Sequence, residues 1–363
     1  MTVKYLPAQF AGDSVMFAFT FSAFSLGKIL TMILFAKLSD RIGRKKILLL
    51  AFSLYSLGTF LAGIAQTPLQ FMIFRFIKGT SAFEGVVLAL INDYYKEGER
   101  GKAMAIFSAS FGIGALIGSV LGGYFLIWFE YKTSFFILGF VTLLSILFVF
   151  LCISNHPDQK IEIIRKTSEY LKKERKLRLN KTLKTKNYIL AVIINFLLMF
   201  CLQGISTYMI FIILNHYLIL EELSGLILFP ITFSYIFFAL VMGKKENPIR
   251  IIRFGLIILT ISLFSVIILN FYDFILIFVI AAGISSSALG AITPAVDNYI
   301  SSFIPKSIRG ETLGIYRSLS LIGSVFGAIT AGYLGNVSWI FSPFLAMAFI
   351  ALISFLVSWV FLK

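Results

Sequence analysis

Long apolar runs, separated by short polar loops, occupy most of the 363-residue chain. A helix that crosses a bilayer needs about 20 apolar residues, and runs of that length recur throughout the sequence. None of the runs shows the alternating pattern of a transmembrane β-barrel. We therefore predict an all-α membrane protein with eleven transmembrane helices, at 15–36, 47–66, 70–93, 102–126, 133–153, 188–214, 222–242, 250–270, 273–299, 310–334 and 338–361.

One polar segment, 154–187, is much longer than the others and carries eleven Lys and Arg residues. It divides the chain into an N-terminal half at 1–153 with five predicted spans and a C-terminal half at 188–363 with six. We interpret 154–187 as a basic cytoplasmic linker between two structural halves.

The two halves resemble each other in sequence. An offset of 209 residues superposes 100–124 on 309–333 with eight identities in 25 ungapped positions, among them Gly114 on Gly323 and Gly118 on Gly327. Either the halves are repeats of one ancestral unit, or the matches reflect the small-residue spacing common to packed membrane helices. The same offset maps most of 188–214 to positions before Met1, so the first half is predicted to lack its opening helix. Either the start is misassigned or the truncation is real.

Charge is distributed asymmetrically between the predicted loops. The chain is 59% hydrophobic and 13% charged with a net charge of +15, yet 26 of its 32 Lys and Arg residues fall in loops on one predicted side. Such loops stay in the cytoplasm. The excess charge therefore indicates membrane topology rather than nucleic-acid binding. We expect a multi-pass protein of the cell membrane, with the lipid bilayer as a partner, the N-terminus outside and the C-terminus cytoplasmic.

The stretch 36–48, AKLSDRIGRKKIL, lies between the first two apolar runs and resembles a signature of major facilitator superfamily transporters, G-x-L-a-D-R-x-G-R-R/K. The matching residues are Leu38, Asp40, Arg41, Gly43, Arg44 and Lys45, with Ala36 in place of the leading Gly. The resemblance implies two helical halves around a central cavity, and a cytoplasmic gate in which Asp93 is a partner of these charges. Alternatively, the charges only set topology.

Two further sets of charges lie inside predicted spans. The segment Arg75-Phe-Ile-Lys-Gly resembles the superfamily's R-x-x-Q-G, with Lys78 in place of Gln. Arg75 either extends to the outer surface or faces a cavity and binds an anionic group. Lys28 and Glu84 lie deepest, and an unpaired charge at that depth is costly, so we expect them to pair. The pair is either structural or a proton and substrate site, with Glu84 as the candidate proton carrier.

A glycine pattern in the span 102–126 resembles the G-x-x-x-G-P-x-x-G-G motif of superfamily antiporters, and Ser119 stands in place of the proline. The pattern favours export, although close helix packing alone also explains it. The glycines are Gly114, Gly118, Gly122 and Gly123.

The sequence contains no G-x-x-x-x-G-K-[ST] motif for a nucleotide-driven pump, and both histidines fall in predicted loops. We expect no enzymatic activity, no cofactor and no metal site. The predicted function is secondary transport of a small organic solute by alternating access, with proton-coupled efflux favoured. Uptake of a sugar or organic acid is one alternative, and a truncated membrane protein that does not transport is another. The sequence leaves the oligomeric state open.

Overall fold

The computed structural model is all-helical and describes residues 14–95, 106–107, 110, 112–118, 121–122, 125, 128–153, 177–242, 247–270, 272, 274–304 and 309–361. Its α-helices, numbered here within the described residues, are α1 (Ser14–Ile42), α2 (Arg44–Gly63), α3 (Pro68–Gly79), α4 (Glu84–Tyr94), α5 (Tyr131–Cys152), α6 (Lys186–Asn215), α7 (Glu221–Met242), α8 (Pro248–Phe264), α9 (Ile275–Phe303), α10 (Arg309–Val337) and α11 (Ser342–Phe361). A 3₁₀ helix, Ser265–Asn270, follows α8. Eight helices of the described part are long and apolar enough to cross a membrane. The predicted fold class is confirmed.

The predicted span 70–93 is interrupted in the structure. Helix α3 ends at Gly79 and α4 begins at Glu84. The hydroxyls of Thr80 and Ser81 donate hydrogen bonds to the carbonyls of Ile77 and Lys78, each at 2.6 Å. The same two carbonyls also accept the backbone N–H groups of Thr80 and Ser81. The last turn of α3 is therefore tightened to i→i+3 bonds, and the hydroxyls add a second donor to each carbonyl. The prediction of one continuous helix missed this local competition.

Helices α1 and α2 extend through most of the predicted polar loop at 37–46. They meet at Gly43, which has a φ of 101° and separates Ile42 from Arg44. A left-handed backbone of this kind strains residues that carry a Cβ, so glycine suits this corner. The predicted boundaries were too short because charged residues at a membrane surface can continue a helix into water.

In the first half, α1 packs against α3, while α2 packs against α3 and α5. The approach of α1 to α3 is very close. A Cβ on Gly79 would collide with the carbonyl oxygen of Phe24, and one on Gly27 would collide with that of Phe76. These glycines bring the charged residues of α1 and α3 to neighbouring positions.

In the second half, α6 packs against α10 and α11, and α9 packs against α7 and α8. Gly323 and Gly327 of α10 face the carbonyl oxygens of Phe196 and Phe200 on α6, again with no room for a Cβ. A cluster of buried apolar side chains extends through α6 and its neighbours.

The first and second halves meet along α1 and α10. Ser22 donates a hydrogen bond to the carbonyl oxygen of Val325 at 3.3 Å, and Ser318 donates one to the sulfur of Met32 at 3.6 Å. Neutral bonds of this type are individually weak. The contact between the halves therefore contains polar links that can break at small cost.

Candidate functional site

The break between α3 and α4 places a carboxylate beside a lysine. The ammonium of Lys28, the middle residue of α1, forms an ion pair with Oε1 of Glu84, the first residue of α4. The two side chains are 19% and 14% exposed. The second oxygen of Glu84, Oε2, is buried and has no hydrogen-bond partner among the described residues. The structure thus forms the pair expected from the sequence and leaves one acceptor unused.

The ion pair lies well inside the membrane-spanning region. Helix α4 runs from Glu84 to Tyr94, 11 residues, so Glu84 lies about 15 Å from the far end of that helix by helical rise. Charges at such depth are costly and occur mainly where they are paired or face a polar cavity. The pairing explains how both charges are tolerated.

Arg75 makes its contacts with side chains inside the helix bundle. Its guanidinium carbon lies 4.6 Å from the ring centroid of Phe21 and 5.9 Å from those of Phe24 and Phe71. Its Nε is buried and has no hydrogen-bond partner within the described part of the chain. Cation–π attraction from three rings offsets part of the desolvation of the guanidinium. This arrangement favours the inward-facing interpretation over extension to the outer surface.

Lys78 completes a connected group of charges. Its ammonium lies 4.4 Å from the ring centroid of Tyr55 on α2. Arg75 lies three residues before Lys78 on α3, on the same side of the helix. The Lys28 ammonium and the Arg75 guanidinium carbon each lie 5.9 Å from the ring centroid of Phe24. We call Lys28, Tyr55, Arg75, Lys78 and Glu84 the charged cluster. It holds three cations and one carboxylate, so an added anion would be electrostatically favourable there.

The comparisons with known proteins agree with this architecture. The sequence profile of the Major Facilitator Superfamily matches residues 1–284 and 247–363. The chain belongs to the major facilitator superfamily. Among its relatives are an uncharacterized transporter of Buchnera aphidicola, 26% identical over 89% of this chain and 82% of the relative, and Multidrug resistance protein 2 of Bacillus subtilis, 24% identical over 92% and 82%.

A solved superfamily structure has the same fold. The crystal structure of a D-xylose-proton symporter covers 96% of this chain and 88% of its own, with a TM-score of 0.79 and 15% identity. At this identity the likeness concerns the fold alone. Superfamily membership makes the chain a multi-pass membrane transporter that binds a small-molecule substrate.

The gate motif of the superfamily is only partly described. The backbone of Asp40 and Arg41 belongs to α1 and that of Asp93 to α4, but the side chains of all three lie outside the described residues. Arg44 donates a hydrogen bond to the hydroxyl of Ser39 at 2.5 Å. Lys45 donates to the carbonyl oxygen of Phe150 at 2.7 Å, which links the start of α2 to α5. The proposed gate remains a prediction.

The antiporter-like glycines differ from their counterparts in the second half. A Cβ on Gly114 or Gly118 would meet no described atom within 4 Å, whereas Gly323 and Gly327 pack on α6. Gly122 is buried, and Gly123 lies outside the described residues. The packing role predicted for these glycines therefore stays a prediction in the first half.

One ion pair of this superfamily member was not predicted from its sequence. Asp297 of α9 lies 3.5 Å from Arg317 of α10, and the side chains are 38% and 44% exposed. The two residues are six and eight positions from the ends of α9 and α10 that face the connecting segment. In consecutive antiparallel helices, two charges that are similarly far from the connecting segment lie at a similar depth in the membrane. The positions of Asp297 and Arg317 in the sequence could therefore have indicated their pairing.

Proposed function

We propose that the protein is a proton-coupled secondary transporter of a small organic solute, with the Lys28–Glu84 pair as its coupling site. The observation that carries this proposal is the ion pair at the interruption of a membrane helix. Discontinuous helices of this kind form substrate and ion sites in other transporter folds. Glu84 contributes a carboxylate that pairs with Lys28 through one oxygen and leaves the other oxygen unused.

In the proposed cycle, a proton binds to Oε2 of Glu84 and converts the carboxylate to a neutral acid. The ion pair with Lys28 is then lost, and Lys28 carries an uncompensated charge. That charge can be compensated by an anionic or strongly polar group of the solute. When the proton leaves, the pair forms again and the solute is released. In this cycle the proton and an anionic solute bind together, which corresponds to symport. Efflux in exchange for protons requires instead a basic or polar group of the solute that binds Oε2 of Glu84 while the carboxylate is deprotonated.

The proposal includes movement of two halves, 1–153 and 188–363, about the contact between α1 and α10. Its gate consists of Asp40, Arg41, Gly43, Arg44, Lys45 and Asp93, at the side that the charge asymmetry assigns to the cytoplasm. Charge-assisted bonds there would form in one state and break in the other. The C-terminus lies on the same side in this arrangement, and the host bilayer is the cell membrane.

Export is the direction we favour. The glycine pattern from Gly114 to Gly123 supports it, as does the relationship to relatives whose names describe multidrug resistance. Uptake of an organic acid is the second candidate, because the charged cluster holds three cations and a single carboxylate. A cluster with this charge balance attracts an anion more readily than a lipophilic cation.

Proteoliposomes that contain a pH-sensitive dye can separate these functions. We would add ethidium, xylose or succinate outside and record the internal pH. A solute that enters by exchange for protons makes the interior more alkaline, whereas symport makes it more acidic. The direction of the pH change does not depend on how the protein is oriented in the vesicle. An exchanger moves protons opposite to the solute, and a symporter moves them with the solute, in either orientation.

The Glu84→Gln variant should abolish the pH change, whereas Glu130→Gln, which removes an exposed carboxylate before α5, should preserve it. Alkalinisation of the interior by wild type would support proton-coupled efflux. Acidification would instead support uptake of the solute together with protons. If neither wild type nor variants change the internal pH with any solute of a broad panel, proton-coupled transport by this chain is refuted. The interpretation as a non-transporting membrane protein would then be preferred.

A further inference from the structure

An open groove lies in the second half, on helices other than those that carry the charged cluster. Its volume is about 950 Å³, and it is formed by α7, α8 and α9. The lining is mainly apolar, with Phe238, Phe254, Ile258 and Ile284 among its side chains. Phe254, Ile258 and Ile284 are also exposed at the surface of the protein. In a membrane-embedded bundle, exposed apolar side chains at these positions face lipid, so the groove opens toward the bilayer.

The length of the groove matches one leaflet of a membrane. Along α8 its lining extends from Asn247 to Ile258, which corresponds to about 17 Å at the helical rise. Half of a typical hydrocarbon core is about 15 Å. The groove can therefore accommodate an acyl chain that runs from the membrane surface to the bilayer centre.

Polar residues are concentrated at one end of the groove. Asn247 precedes α8, and Arg250 lies in its first turn with an exposed side chain. The next arginine, Arg253, has a different role: its guanidinium donates hydrogen bonds to the carbonyl oxygens of Ser358 and Trp359 at 3.4 and 3.3 Å. Arg253 thus holds α11 against α8, while Arg250 lines the mouth of the groove.

We propose that this groove is a binding site for an anionic phospholipid, whose phosphate pairs with Arg250 and whose acyl chain lies along Phe254, Ile258 and Ile284. Charge complementarity selects this occupant. The mouth is at the α7–α8 end, which the distribution of Lys and Arg assigns to the cytoplasmic side. Anionic lipids are enriched in that leaflet, and basic pockets between membrane helices bind their headgroups.

A transported solute is a less suitable occupant. The groove belongs to α7, α8 and α9, whereas the charged cluster belongs to α1–α4 in the other half. Helix α8 packs against α9 and α11 within its own half. A ligand here can therefore stay bound while the two halves move, as expected of a structural lipid.

A tryptophan reporter can measure lipid preference in the groove. We would replace Trp128, Trp339 and Trp359 with Phe and introduce Phe254→Trp in full-length protein. The protein is reconstituted in brominated phosphatidylcholine, which quenches the reporter on contact. Increasing fractions of unbrominated phosphatidylglycerol or unbrominated phosphatidylcholine are then included. Relief of quenching reports which lipid occupies the site.

The expected result is that phosphatidylglycerol relieves quenching at least threefold more effectively than unbrominated phosphatidylcholine. Arg250→Gln should reduce this preference to near unity, and Arg250→Lys should retain most of it because the charge remains. Lys184→Gln, which removes an exposed cation outside the groove lining, should leave it unchanged.

Three outcomes would overturn the proposal. Equal relief of quenching by both lipids would mean that the groove holds only the ordinary lipid that surrounds the protein. A preference that survives Arg250→Gln would place the anionic site elsewhere. Relief by a transported solute in neutral lipid would make the groove a solute site. Because proton movement is not recorded, these outcomes are independent of the transport proposal.

Discussion

The Lys28–Glu84 pair should show strong energetic coupling. Two unit charges about 4 Å apart interact by about 4 kcal/mol at an effective dielectric constant near 20. Both side chains retain some exposure, 19% for Lys28 and 14% for Glu84, so part of this energy is lost to screening. We therefore expect a coupling energy of about 1–3 kcal/mol, within the range observed for residues in direct contact.

A double-mutant cycle tests this estimate. Removal of one partner leaves an uncompensated charge in the membrane, so Lys28→Gln and Glu84→Gln should each destabilise the protein by about 3 kcal/mol. The double variant should be less destabilised than the sum of the two, since it leaves no charge unpaired. At about 2 °C for each kcal/mol in a chain of this size, the departure from additivity should be about 2–6 °C.

The two cysteines provide the assay. Cys201 is buried with 1% exposure, whereas Cys152 is exposed. In a Cys152→Ser background, a fluorogenic maleimide reacts only when unfolding exposes Cys201, and the reaction midpoint gives the Tm. Shifts that add within about 0.5 kcal/mol would refute a direct interaction between Lys28 and Glu84.

Three further predictions follow from neighbouring contacts. Gly79→Ala should destabilise the protein by about 1–3 kcal/mol because its methyl group meets the Phe24 carbonyl, whereas Gly114→Ala should lower the Tm by less than 2 °C in the same thermal assay. Phe21→Leu removes the ring nearest Arg75 and should cost about 0.5–2 kcal/mol, and an unchanged Tm would contradict the cation–π contact. Asp297→Asn should lower the Tm less than Glu84→Gln does, because Asp297 and Arg317 are more exposed than Lys28 and Glu84, and an equal or larger loss would contradict this order.

Much of the fold was predictable because the membrane imposes a simple requirement. Every backbone polar group in lipid must be paired internally, so long apolar runs become helices. Pairing of Lys28 with Glu84 was predictable for a similar reason, since an isolated charge at that depth is costly. These inferences rely on large energies that local detail does not overturn.

Smaller energies explain what the sequence did not reveal. The interruption before Glu84 depends on hydrogen bonds of Thr80 and Ser81, each contributing about 1 kcal/mol. A pattern of apolar residues does not predict these bonds. The aromatic surroundings of Arg75 depend on how α1 and α3 cross, which no linear pattern specifies. Asp297 and Arg317 were overlooked because each was considered within its own span rather than across the connection between α9 and α10.

The central claim is that Glu84 carries the coupled proton. Once a solute is identified, its flux through Glu84→Gln should be measured in one preparation under two conditions: exchange of labelled for unlabelled solute at equal pH, and net accumulation driven by a pH gradient. Because glutamine resembles the protonated acid, we predict that exchange persists and gradient-driven accumulation is lost, while Glu130→Gln retains both. Accumulation at the wild-type rate in Glu84→Gln would contradict the account, because the proton would then travel by another route.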